Sequence, residues 1–146
     1  MKRKQMWYLL FAVYSCMMLF LLFDRTGYEA GVPYQEQLKY NLVPFHTIHL
    51  FVDALKMHTY RTSAVVNLFG NVIMFIPLGF LLPRVFSGLR CFWWTMLTVT
   101  GIIVTVEILQ MFTLVGTCDI DDLILNLLGA SIGYGIHFGV KKILSK

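Results

Sequence analysis

Four apolar stretches, near residues 6–23, 64–82, 92–112 and 120–139, dominate this chain. Each approaches the roughly 20 residues that a helix needs to cross a bilayer core. Hydrocarbon offers the backbone no hydrogen-bond partners, so such stretches fold as helices whose bonds close within each segment. The composition agrees, with 58% hydrophobic and 14% charged residues, against about 45–50% and about 25% in globular domains. A chain of 146 residues so poor in polar side chains cannot cover its own surface in water. The expected fold is all-α: one domain over 1–146, a polytopic membrane protein with four transmembrane helices.

The second stretch contains Asn67, Gly70, Asn71, Pro77 and Gly79. Membrane helices tolerate such residues where neighbours re-satisfy the backbone. The first follows Lys2-Arg3-Lys4, is too long for a secretory h-region, and leads into "FDRTGYEA", which lacks a small-x-small cleavage site. It reads as an uncleaved anchor.

Basic residues orient the spans. Of the 12 Lys and Arg, one side holds Lys2, Arg3, Lys4, Arg84, Arg90, Lys141, Lys142 and Lys146. The other holds Arg25, Lys39, Lys56 and Arg61 across a longer segment, balanced by Asp24, Glu29, Glu36 and Asp53. Both termini are expected in the cytoplasm, with 24–63 outside. The net charge of +4 lies in short flanks of apolar runs, a topology pattern that argues against nucleic acid as a partner. Three Cys with no metal-like spacing support neither a disulfide framework nor a zinc site.

Residues 24–63 are too many for a structureless loop. Within them, "HTIHLFVDALKMH" places Ile48, Phe51, Val52 and Leu55 at helical spacing, with Asp53 and Lys56 off that face. An external interfacial helix between the first and second spans is expected. Ahead of it, "NLVPF" reads as extended chain, because Pro44 biases Val43 away from helical backbone. His46, His49 and His58 read as surface groups.

The polar residues are the unusual feature. The junction "EILQMFTLVGTCDIDDLILNLLG" holds Glu107, Gln110, Asp119, Asp121, Asp122 and Asn126. Each acid placed in hydrocarbon costs roughly 2.5–3.5 kcal/mol on insertion scales. Helical geometry puts Glu107 and Gln110 on one face of the third span. Asp119, Asp122 and Asn126 share a face of the fourth, and Asn67 and Asn71 lie one turn apart on the second. At about 1.5 Å per residue, Asn71, Glu107 and Asn126 reach one depth, with Asn67, Gln110 and Asp122 nearer the surface. Asp121 falls off the shared face, so its replacement by Asn is expected to be mild.

Plainer roles fit several of these residues. Asp119, Asp121 and Asp122 suit a helix start, by capping and by the helix dipole. The asparagines suit interhelical hydrogen bonding, and Gly129-x-x-x-Gly133 suits close helix packing. Glu107 fits none of them. It sits near a helix C-terminus, where the dipole disfavours an anion. It must be protonated or take a donor such as Arg61, His46 or an asparagine amide.

"NLVPF", "NLFGNVIMFIPLGFLLP", "E-I-L-Q" and "DIDDLILNLLGASIGYG" together resemble the successive signatures of the VanZ-like family of bacterial membrane proteins, over residues 41–135. The matching positions are Asn41, Pro44, Phe45, Asn71, Phe75, Pro77, Gly79, Glu107, Gln110, Asp119, Asp122, Asn126 and Gly129. The resemblance implies a multi-pass protein of the bacterial cell membrane. The founding type is associated with resistance to teicoplanin, a lipoglycopeptide, without comparable vancomycin resistance. Many relatives carry an Arg before the Asp motif, where this chain reads "LVGTC". Arg61 is the candidate substitute.

Two functions compete. One is a non-enzymatic protein acting on an amphiphile at the outer leaflet, a membrane lipid or lipid-anchored glycopeptide, through Asn67, Asn71, Glu107, Gln110, Asp119, Asp122, Asn126 and Arg61. The alternative is a membrane-embedded hydrolase or transferase acting on a lipid-linked envelope precursor. There Glu107 would be the general base, and Asp119 and Asp122 weak candidates for a divalent ion. No Ser or Cys stands beside a plausible His base and no His-x-x-x-His pair occurs, so the first reading is preferred, with no cofactor expected.

Overall fold

The computed structural model describes residues 3–23, 40–56, 61–113 and 118–144. Four long helices run alternately up and down: α1 (Arg3–Phe23), α3 (Arg61–Val85), α4 (Phe92–Phe112) and α5 (Ile120–Leu144). All four are long and apolar enough to cross a membrane, at Lys4–Phe23, Val65–Val85, Phe92–Phe112 and Ile120–Ile143. The third span coincides with its sequence expectation. The second and fourth run further toward their C-termini, because Pro83 sits inside α3 and α5 continues past Gly139 to Lys141 and Lys142. Those lysines favour the negative end of the helix dipole.

The short helix between the first two spans is present as α2 (His46–Lys56). Ile48, Phe51, Val52 and Leu55 are half-buried. The helix lies mainly against α3 and leaves Leu50 exposed. At its end Lys56 pairs with Asp53 at 2.9 Å, and this ammonium holds the Asp53 carboxyl below its usual range. An exposed pair of this kind adds little stability.

A feature absent from the sequence reading is a short parallel pairing of β1 (Tyr40–Asn41) with β2 (Cys118–Asp119), in the register Tyr40 to Cys118 and Asn41 to Asp119. It ties the segment before α2 to the start of α5.

The bundle is centred on α3 and α5. Gly79, Gly129 and Gly133 sit where a Cβ would overlap the backbone carbonyls of Ala130, Val72 and Ile76. The two backbones therefore touch, which is the packing expected of small residues spaced by four in a membrane helix. Phe75, Leu78, Val99, Ile103 and Ala130 fill the fully buried centre. Most other large apolar side chains, including Val13, Phe20, Ile73 and Leu97, face outward, as a lipid-facing surface requires. Pro77 removes the helix bond to the Ile73 carbonyl. From α1, Tyr14 donates to the adjacent Met74 carbonyl at 2.7 Å, fastening α1 to that turn.

Candidate functional site

Alternation of the four helices brings the C-terminal end of α4 and the N-terminal ends of α3 and α5 to one end of the bundle. Four carboxylates gather there. Glu107 is buried, and its Oε2 accepts the Asp119 backbone N–H at 3.2 Å. A main-chain amide is thus a donor to Glu107, and among the described residues neither His46 nor an asparagine amide joins it. β2 packs against α4, which brings a main-chain amide to Glu107. The Arg61 side chain lies outside the described residues.

Asp119 is the most heavily used of the four. Its carboxylate accepts Thr47 Oγ1 at 2.6 Å, Asn41 Nδ2 at 3.3 Å to each oxygen, and the Asp121 backbone N–H at 2.9 Å. Asn41 Nδ2 also donates to Thr47 Oγ1 at 2.9 Å, and Asn41 Oδ1 accepts the Val43 N–H at 3.1 Å. These bonds anchor β1 and the first turn of α2 to the start of α5.

Asp121 lies off this shared face, as helical geometry implies, but it is fully buried. Its Oδ1 accepts the Phe45 N–H at 2.5 Å and its Oδ2 the Ile48 N–H at 3.0 Å. Those amides belong to the start of α2, where the local sequence offers no Ser, Thr, Asp or Asn at the capping position. Asp121 therefore supplies from α5 the cap that α2 lacks, a negative charge at a helix N-terminus. The turn before it is strained. Val43 O accepts the His46 N–H at 3.3 Å, and Phe45 adopts φ 65° where a type II turn normally places Gly. The expectation that Asp121→Asn is mild is therefore revised. The Asn amide group would face a backbone donor, leaving one buried N–H unsatisfied at a cost of about 1–3 kcal/mol. Hydrogen exchange of the α2 amides should accelerate in Asp121→Asn relative to the native chain; unchanged exchange would refute the capping role.

Deeper in the bundle, Asn71 Nδ2 donates to Asp122 Oδ1 at 2.6 Å, joining α3 to α5. One turn on, Asn126 is buried, and its Oδ1 has no hydrogen-bond partner among the described residues. Asn67 is half-buried one turn from Asn71. Gln110 leaves the group: its Nε2 donates to the Leu22 carbonyl at 2.7 Å, serving the last turn of α1. Its position three residues after Glu107 permitted the shared face, but α1 stands on that side and presents the Leu22 carbonyl. The two-layer arrangement is likewise altered, since Asn71 reaches Asp122 directly.

Among the described residues no ion pair reaches the four carboxylates, and no set of three His, Cys, Asp or Glu is arranged to hold a metal ion. Asp119 and Asp122, the candidates for a divalent ion, do not form such a set. Beside them, burial pushes the Cys118 thiol up, reinforced by the charges of Glu107 and Asp119. A protonated thiol is a poor nucleophile.

Thr47 escaped the sequence reading, and Asn41 entered it only through the family resemblance. Neither belongs to a span, and no local periodicity marks them. The nearest sequence signal is their place on either side of Pro44, a turn that returns the chain to the bundle. Comparison with known proteins gives one match: the family model described as VanZ/LLP1 matches residues 8–142. No curated protein and no solved structure matches the chain.

Proposed function

The chain belongs to the VanZ/LLP1 family of membrane proteins, and from that membership and the site's geometry we propose that it acts on an amphiphile at the outer leaflet, protecting the cell against teicoplanin. The observation that carries this reading is the pairing of two surfaces at one end of the bundle. A group of four carboxylates with Asn71 and Asn126 lies beneath β1 and α2. That covering segment turns Tyr40, Leu42, Val43, Phe45 and Leu50 outward, each more than half exposed. Five adjacent apolar side chains at the rim of a membrane protein suit contact with acyl chains at the headgroup boundary. The carboxylates and amides beside them suit the hydroxyl and amine donors of a polar head.

The basic-residue asymmetry supports an outer position for this end, in the leaflet into which an acylated glycopeptide inserts. Teicoplanin has an acyl tail and vancomycin lacks one, so a protein working at this depth distinguishes them. The hydrolase reading is weaker on the same geometry. Asp119 and Asp121 each use both carboxylate oxygens in structural hydrogen bonds, and Glu107 is engaged by a main-chain amide.

Expression in a susceptible Gram-positive host should raise tolerance to teicoplanin and leave vancomycin sensitivity nearly unchanged. Glu107→Gln keeps the volume and an acceptor but removes the ionisable group. At equal membrane abundance it should lose the tolerance. Equal protection against both drugs would sink the reading, and full retention by Glu107→Gln would reduce that residue to a structural acceptor.

A further inference from the structure

The opposite end of the bundle carries a second constellation that the acid cluster does not involve. Arg84, in the last turn of α3, holds its guanidinium 4.5 Å from the Trp7 ring centroid on α1 and 4.4 Å from that of Phe80. Its Nε donates to His137 Nδ1 on α5 at 3.2 Å. A guanidinium cannot accept, so this bond requires a neutral imidazole with its proton on Nε2. The ring of His137 packs edge-on against Phe80 at 6.0 Å and beside Tyr134 at 6.4 Å. Tyr134 in turn meets Phe92 at 5.3 Å and donates to the Arg90 carbonyl at 2.7 Å.

The charges acting on His137 share one sign. Arg84, Arg90 and Lys141 all act electrostatically on His137, and among the described residues no carboxylate does.

A plain account exists for part of this. Basic residues at helix C-termini complement the dipole, and their stems snorkel to water. That covers Lys141 and Lys142. It does not cover Arg84, which is held half-buried between two aromatic faces and an imidazole. Three cations drawn from α3, the α3–α4 connection and α5 repel one another, more strongly where water is scarce. A fixed guanidinium beside further donors is the arrangement that recognises phosphate. The α4 N-terminus begins here too, with no side-chain cap from Cys91, so its first amides add positive potential.

From this juxtaposition we infer that Arg84, His137, Arg90 and Lys141 form a binding site for one anionic phosphate group, supplied by the headgroup of an acidic phospholipid in the leaflet facing this end. Basic pockets between membrane helices hold acidic headgroups in this way. Arg84, oriented by His137, meets the phosphate from the half-buried side, and the exposed Arg90 and Lys141 close over it from water. Trp7 and Phe80 lie where the glycerol and upper acyl chain descend.

The test is native mass spectrometry of the purified full chain with equal amounts of phosphatidylglycerol and phosphatidylcholine. Retention of one phosphatidylglycerol should exceed that of phosphatidylcholine by about tenfold. Arg84→Gln should remove most of that preference. Arg90→Gln alone, at an exposed position where folding is not at risk, should reduce it by about fivefold. Lys56→Gln removes one positive charge at the far end and should change nothing. Millimolar inorganic phosphate distinguishes the sources: persistence of the bound lipid assigns the site to the headgroup, whereas displacement assigns it to soluble phosphate and overturns the lipid. Equal retention of the two lipids, or an effect of Lys56→Gln matching that of Arg84→Gln, overturns the site.

Discussion

Asp119→Ala should release β1 and α2 from the bundle while leaving the four long helices assembled. The Asp119 carboxylate holds Thr47, Asn41 and the Asp121 amide together. Hydrogen bonds to a charged group contribute about 1.5–3 kcal/mol each, and these three act as one network, so they do not simply add. A loss on the order of 3 kcal/mol for local opening is expected. That corresponds to about a hundredfold faster hydrogen exchange in α2. The effect should exceed that of Asp121→Asn, because Asn keeps one acceptor at its site and Ala keeps none. Asp53→Ala provides the control: it deletes an exposed pair with Lys56 and should leave exchange in α2 nearly unchanged. If Asp119→Ala behaves like Asp53→Ala, Asp119 does not anchor the covering segment.

The other large effect is expected at the glycines where α3 meets α5. Gly79→Ala places a methyl group on the Ala130 carbonyl, and Gly133→Ala places one on the Ile76 carbonyl. In an isolated helix Gly→Ala is favourable by about 1 kcal/mol. Here the Cβ meets backbone, which cannot swing aside as a side chain can. The helices must separate, and the packing loss of about 3 kcal/mol or more outweighs the propensity gain. Both variants should yield little monodisperse protein in detergent. Gly101→Ala and Gly135→Ala, where a Cβ meets nothing within 4 Å, should be purified like the native chain. A uniform response across the four positions would remove the close-packing account.

Strain at Phe45 belongs to the same covering segment. A bulky residue at φ 65° is retained although Gly would relieve it. The side chain it preserves is one of the exposed apolar groups beside the carboxylates. The energetic conflict is thus located at the proposed working surface, where strain commonly collects.

What the sequence determined by itself was whatever depends on chain-local physics. Hydrophobic length set the four spans, and helical periodicity set α2. The same periodicity placed Asp122 and Asn126 one turn apart on α5, although Asp119, expected on that helix, belongs to β2, and the spacing of Gly129 and Gly133 marked a close helix contact. These need only the rise and turn of a helix. Tertiary structure alone decided which groups became partners. Gln110 turned to the Leu22 carbonyl because α1 happens to end beside it. Glu107 took the Asp119 amide because β2 packs against α4. Asp121, unremarkable on its own helix, became the cap of another one. A hydrogen bond has short range and strict direction, so the identity of its partner depends on positions to within about an ångström. Periodicity fixes a side chain's face, but only the packing of α1, α2 and α5 around it fixes what that face meets.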